Sequence, residues 1–148
     1  SPNKGWLSKI HYNGTSWNQL WTSLYSNAGA VQIASIAEKN NTLAISGTVN
    51  GDALIGSING TSGATHWVTS IGGTGSDYLE GGVVFKNDGS LNNPNEIMAV
   101  GNTYSGTLSG GSAAWYVLMN LNNGTLRKSV TLDGTSVDVA KNVIANKV

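Results

Sequence analysis

The sequence predicts an all-β chain made of tandem copies of one four-stranded antiparallel unit, with strands grouped four, four and three. Three observations carry this. Short segments rich in Val, Ile, Leu and Trp recur along the chain, bounded by Gly, Asn, Asp and Ser, which is the signature of strands. No stretch keeps a helical apolar stripe over ten or more residues. The tripeptide Asn-Gly-Thr occurs at Asn13, Asn59 and Asn123, each time with similar flanks, and internal similarity of this kind marks a repeat architecture.

The first strand of each unit precedes an Asn-Gly: residues 5–12, 52–58 and 114–121. Asn-Gly between two strand-like segments predicts a tight hairpin with φ > 0 at both turn positions. A second strand follows at Leu20–Leu24, Trp67–Ile71 and Lys128–Leu132, sharing an approximate Trp-x-Thr-Ser-Leu/Ile pattern that has no Trp in its third copy. Third strands are expected at Val31–Ile36, Gly82–Phe85 and Ala140–Ile144. Polar turn residues follow the first two of these, then fourth strands at Thr42–Thr48 and Glu96–Thr103. The units run from about 5–51, 52–113 and 114–148 within a single domain. From Asn13 to Asn59 is 46 residues, near the roughly 40–50 of a β-propeller blade. The next interval, 64 residues, places its excess in loops at 90–95 and 105–113. Ile33, Ile36, Ile45, Ile55, Val84, Ile97, Val100, Val117 and Val143 recur in equivalent slots and are expected to form the core.

Formal net charge is zero and only 11% of residues are charged, against roughly 25% in an ordinary soluble protein. That leaves no basic stripe for nucleic acid and no polybasic patch for a membrane surface. The polar surface is built from Ser, Thr, Asn and Gly, a composition suited to an extracellular or cell-surface protein. Without cysteine there is no thiolate nucleophile, zinc knuckle or iron–sulfur site. No apolar run approaches the roughly 18 residues of a membrane span. A start at Ser1-Pro2 reads either as a chain whose leader was removed or as an arbitrary boundary.

The second unit carries a family resemblance. Asp52-Ala53-Leu54-Ile55, Asn59-Gly60-Thr61-Ser62-Gly63, Trp67, Gly72-Gly73-Thr74-Gly75-Ser76-Asp77, Asp88-Gly89 and Ala99-Val100-Gly101-Asn102-Thr103 resemble SBBP-type β-propeller repeats of secreted and surface proteins. The resemblance is good over 52–106 and weak over the first unit. In the third it holds over three strands, with Asp133-Gly134-Thr135-Ser136-Val137-Asp138 in the matching place. It implies a fold and almost nothing about activity. Thr61 to Trp67 also resembles the docking motif of quinoprotein propellers. That likeness implies inter-blade packing for Trp67, and by analogy Trp21, with no cofactor carried over.

Candidate sites reduce mostly to repeat features. His11 and His66 lack a third ligand in register, so no metal is expected. Asp77 and Asp138 share one slot and are read as turn caps. Gly73-Thr74-Gly75 precedes no helix and so makes no phosphate cradle. No catalytic residue and no cofactor are expected. Asn13, Asn40, Asn59 and Asn123 each open an Asn-x-Thr sequon and are candidate glycosylation sites, although chance alone yields about this many in so Asn-rich a chain. The expected function is non-enzymatic: an extracellular structural subunit of a filament, pilus-like fibre or surface layer that pairs with itself. The expected assembly edge is a strand through Asp138, Val139, Val143, Ile144 and Val148. The alternative is an adhesin that binds glycan or protein, with Trp6, Trp17 or Trp115 stacking on sugar. A fragment of a quinoprotein-like enzyme is a third reading.

Overall fold

A computed structural model describes residues 4–25, 29–86, 95–108 and 110–144. Among the described residues it has no helix and ten strands: β1 (Gly5–Tyr12), β2 (Trp17–Tyr25), β3 (Val31–Lys39), β4 (Thr42–Val49), β5 (Asp52–Asn59), β6 (Thr65–Ile71), β7 (Asp77–Lys86), β8 (Glu96–Thr103), β9 (Ala113–Asn120) and β10 (Leu126–Leu132). Every pairing is antiparallel and joins sequence neighbours. The sheets are a β1–β2 hairpin, a second sheet ordered β3-β4-β5-β6 and a third ordered β7-β8-β9-β10.

Strands therefore group as two, four and four, where the sequence repeat divides them four, four and three. Similarity between repeats carries no phase, so it cannot say which pair of neighbouring units shares a sheet. Local turns decide that. β3 and β4 join through Asn40-Asn41 (φ 52° and 59°), and β4 and β5 through Asn50-Gly51 (φ 54° and 89°). Two-residue turns with both φ positive match the twist of paired strands, so β3, β4 and β5 are held in one meander. A longer segment at 72–76 carries the chain from the second sheet to the third.

The Asn-Gly-Thr tips do not form that kind of turn. Asn59 closes a wider loop, with its N–H donating to Ala64 O at 2.8 Å and its carbonyl accepting from Gly63 N–H at 2.8 Å. Its Oδ1 accepts the N–H groups of Thr61 and Ser62 at 2.9 and 3.0 Å, an Asx turn. Asn13 Oδ1 takes Thr15 and Ser16 in the same way, although Asn13 stands two residues beyond the place of Asn59, because Ile10 pairs where Ile58 does. In the third copy Asn120 plays this part, bonding Thr125 O and Gly124 N–H at 2.9 Å each. Asn123, which shares the tripeptide, stands three residues out of register.

The second sheet is covered on both sides. Tyr25, Val31, Leu43, Ile45, Leu54 and Ile58 form a core with the hairpin's Leu7 and Trp21. Ala44, Ala53 and Ile55 form another with Leu79, Val83, Ile97, Trp115, Val117 and Met119. Of the expected core, Ile45, Ile55, Ile97, Val100 and Val117 are buried. Ile33, Val84 and Val143 are half-buried. Ile36 is 49% exposed, because it lines a groove beside the hairpin, which has two strands among the described residues.

Candidate assembly surfaces

The sheets stack by one repeated joint. Trp21 on β2 lies over Gly63 of the β5–β6 tip, and Trp67 on β6 lies over Gly124 of the β9–β10 tip. Both glycines have φ near 70° (73° and 68°). A Cβ there would stand 2.6 Å from the indole, so only glycine fits both the backbone and the contact. The Trp67 Nε1–H donates to Leu121 O at 2.7 Å and that of Trp21 to Gly60 O at 3.3 Å. The packing role expected of both tryptophans is the observed one. By pairing register, Lys128 opposite Leu118 stands where Trp67 stands opposite Ser57 and Trp21 opposite Lys9.

Register and alternation also match residues across the sheets. Trp6, Leu54 and Trp115 correspond, as do Ile10, Ile58 and Met119. Leu54, Ile58, Trp115 and Met119 are at most 6% exposed inside the two joints, whereas Trp6 is 65% and Ile10 59% exposed. Leu24 opposite Trp6 and Trp17 opposite Tyr12 extend this open hairpin face, and the Tyr12 and Trp17 rings lie 5.0 Å apart. At the other end, Val84, Met98, Tyr116, Leu118 and Val130 are half-buried on the third sheet's outward side, facing away from the core beneath. The molecule thus has an apolar face at each end.

The expected edge strand at 138–148 is not a strand over 138–144; Val148 lies outside the described residues. The segment is tied down by its backbone. Asp138 N–H donates to Ser112 O at 3.4 Å and Ala140 N–H to Gly101 O at 3.2 Å. Val143 is half-buried, while Val139 and Ile144 are exposed. This repeats how Asp77 enters β7, with its N–H on Gly51 O, but no neighbouring strand completes a ladder for 138–144 among the described residues. The two carboxylates match in detail: Gly73 N–H donates to Asp77 Oδ2 at 2.9 Å and Gly134 N–H to Asp138 Oδ2 at 2.6 Å. Asp77 also accepts from Thr103 and Ser105. These acids cap turns.

The remaining candidates scatter. His11 and His66 are exposed, and no three His, Asp or Glu side chains among the described residues gather to hold a metal. Trp115 is core, its Nε1–H donating to Ser129 Oγ at 2.8 Å, which removes it as a sugar platform; Trp6 and Trp17 are exposed. Asn13, Asn40 and Asn123 are exposed and Asn59 is half-buried. All four sit on turns at the same end of the sheets, since successive antiparallel strands reverse direction. Sequence reasoning missed Glu96. It is buried, 2.9 Å from Arg127 Nη1 and 3.1 Å from Lys86 Nζ. Burial works against its charge, but the Arg127 and Lys86 cations outweigh burial and hold its carboxyl below the usual range. A groove of about 480 Å³ runs between hairpin and second sheet, lined by Leu7, Lys9, Trp21, Ile36, Glu38 and Leu43 among others.

No family model matches the chain, and no curated protein matches it. The SBBP-type resemblance therefore stays at the level of the quoted motifs. Among solved structures, the crystal structure of BamB from Moraxella catarrhalis aligns over 81% of this chain at 17% identity with a TM-score of 0.45. The chain spans about a third of that structure's length, 33%. The fold is all-β and blade-like: antiparallel meanders stacked face to face.

Proposed function

We propose that this chain is a non-enzymatic extracellular structural protein, a subunit that builds a fibre or surface layer by pairing with copies of itself. The observation that supports it is the pair of unmatched ends. The β1–β2 hairpin is a two-stranded sheet whose outer face exposes Trp6, Ile10, Trp17 and Leu24. An isolated two-stranded ribbon is marginal, and contiguous exposed apolar side chains mark interaction surfaces. Residues 138–144 bring backbone to the opposite end and, among the described residues, pair with no strand there, and the outer edge of β1 offers a template for strand addition. Head-to-tail contacts that do not close give fibres. The low charge and the Ser, Thr and Asn surface agree with an extracellular site, and glycans on Asn13, Asn40 or Asn123 would crowd only one end of the strands.

Light scattering with negative-stain imaging of the purified protein tests this. Mass well above one chain, with elongated particles, is expected. A single-chain mass at micromolar concentration overturns it, and a closed ring of fixed mass overturns the fibre form.

A second reading has an observation of its own. Trp6 and Trp17 are 65% and 69% exposed, and exposed indoles stack on sugar rings. An adhesin would be a single-chain species that binds immobilised glycan, with binding lost in Trp6→Ala or Trp17→Ala.

A further inference from the structure

We infer that the outward face of the third sheet seats the hairpin face of a second copy, in the joint that the chain already uses twice within itself. The inference rests on the self-pairing reading above and specifies its interface.

The internal joints define what such a joint requires. One side presents, four residues apart on one face of its third strand, Leu54 and Ile58 in the second sheet and Trp115 and Met119 in the third. The sheet before it presents Ala53 and Ile55 across the gap, both at 0% exposure. In the hairpin the first set is Trp6 and Ile10; in the third sheet the second set is Ala114 and Tyr116, half-buried. Each end of the chain thus carries a repeat of one side of the same joint, the hairpin supplying the part that β5 and β6 supply in the second sheet. Packing of this kind is heterologous: each copy uses its hairpin on one neighbour and its third sheet on the other.

Two features depart from the internal pattern. The hairpin tip has eight residues between Ile10 and Gln19, where Ile58–Thr65 and Met119–Leu126 each enclose six, and its Gly14 has φ 95° in place of the 73° and 68° of Gly63 and Gly124. Lys128 fills the tryptophan slot, with its ammonium 6.0 Å from the centre of the Tyr116 ring. A lysine already serves such a tip within the chain, since Lys9 Nζ donates to Gly60 O at 2.8 Å. The intermolecular joint therefore exchanges an indole donor for an ammonium donor, whose long stem still covers apolar surface.

The experiment blocks one end at a time. Trp6→Asp removes the hairpin half and Tyr116→Asp the third-sheet half. Each variant alone is expected to run at single-chain mass in light scattering, with an unchanged far-UV spectrum. Mixed one to one, the two are expected to form a two-chain species and go no further, because one intact half remains on each. Should an aspartate variant unfold, Trp6→Ser and Tyr116→Ser carry the same test, with each shifting the assembly midpoint at least tenfold in concentration. If wild type assembles but both blocked variants assemble equally well, the joint is overturned while self-pairing stands. If mixing leaves two single-chain species, the joint is overturned too. Single-chain wild type overturns the self-pairing reading itself.

Discussion

The second sheet and the β1–β2 hairpin are built from related sequence, yet they differ in what covers them. β4 and β5 are buried along nearly their whole length, with one core on each face. β1 and β2 bury only the side that carries Leu7, Trp21 and Tyr25. The second sheet meets two neighbours with small residues, Ala44, Ser46, Ala53 and Ser57, among its larger ones. The hairpin keeps Trp6, Trp17 and Leu24 pointing outward at 65% or more. Stability and stickiness are therefore separated along the chain: the middle holds the fold together, and the ends have apolar surface left over.

That contrast can be broken at four points. The largest effect is expected at Ile97, which is fully buried in the joint between second and third sheets. Ile97→Asp leaves an unpaired buried charge at a cost of several kcal/mol, so no cooperative unfolding transition should be seen. Ile10→Asp, on the open hairpin face, should change stability by under about 0.5 kcal/mol. Similar unfolding midpoints for the two variants would erase the distinction between middle and ends.

Next comes the tryptophan joint. Trp67→Ala removes a half-buried indole and its bond to Leu121 O, for a loss of about 2–3 kcal/mol in denaturant unfolding. Trp17→Ala, on an exposed side chain, should cost less than about 1 kcal/mol. Equal losses would show that the indole over Gly124 is not what ties the sheets. Gly124→Ala follows. The positive φ alone costs about 1–2 kcal/mol, and the new Cβ also pushes against Trp67. Gly14→Ala shares the positive φ, but nothing lies within 4 Å of its Cβ, so it should lose only the backbone part. The difference between the two measures the Trp contact.

The smallest effect is electrostatic. The Glu96 carboxyl lies below its ordinary value of 4.5 in the folded chain. Its contribution is therefore present above that value and is lost as pH falls through the lower folded value. Thermal midpoints should drop below about pH 4.5 in wild type, and Glu96→Gln should flatten that part of the profile. An unchanged profile would mean that Lys86 and Arg127 add no net stabilisation.

How much was legible in the sequence differs by residue. Strand segments up to Leu132 were legible, because alternation and β-branched content are local properties; the one expected at 140–144 is not a strand. The packing of Trp21 and Trp67 was legible too, through a recurrent motif. Turn type was misjudged at Asn59, since the side-chain bonds to Thr61 and Ser62 favour a wider Asx loop over the two-residue turn that Asn-Gly suggests. The two-residue turns formed at Asn40-Asn41 and Asn50-Gly51 instead. Asn123 does not match Asn59, because the shared tripeptide lies three residues past the hydrogen-bonding frame, which begins at Asn120. Glu96 escaped notice because its cations come from Lys86 and Arg127, ten and thirty-one residues away, with nothing local to mark them.

The amino-acid sequence by itself determined that this chain would be all-β, that it would repeat, and that its surface would carry little charge. These follow from composition and period, which each segment expresses without reference to the others. Only the tertiary structure decided where one sheet stops and the next begins, and which of Trp6 and Trp115 is buried. The two tryptophans stand in the same slot, and their fates differ because β9 packs on the second sheet while, among the described residues, nothing packs over Trp6 on β1. Burial belongs to the neighbour as much as to the residue, and a repeat sequence cannot say which of its copies will have one.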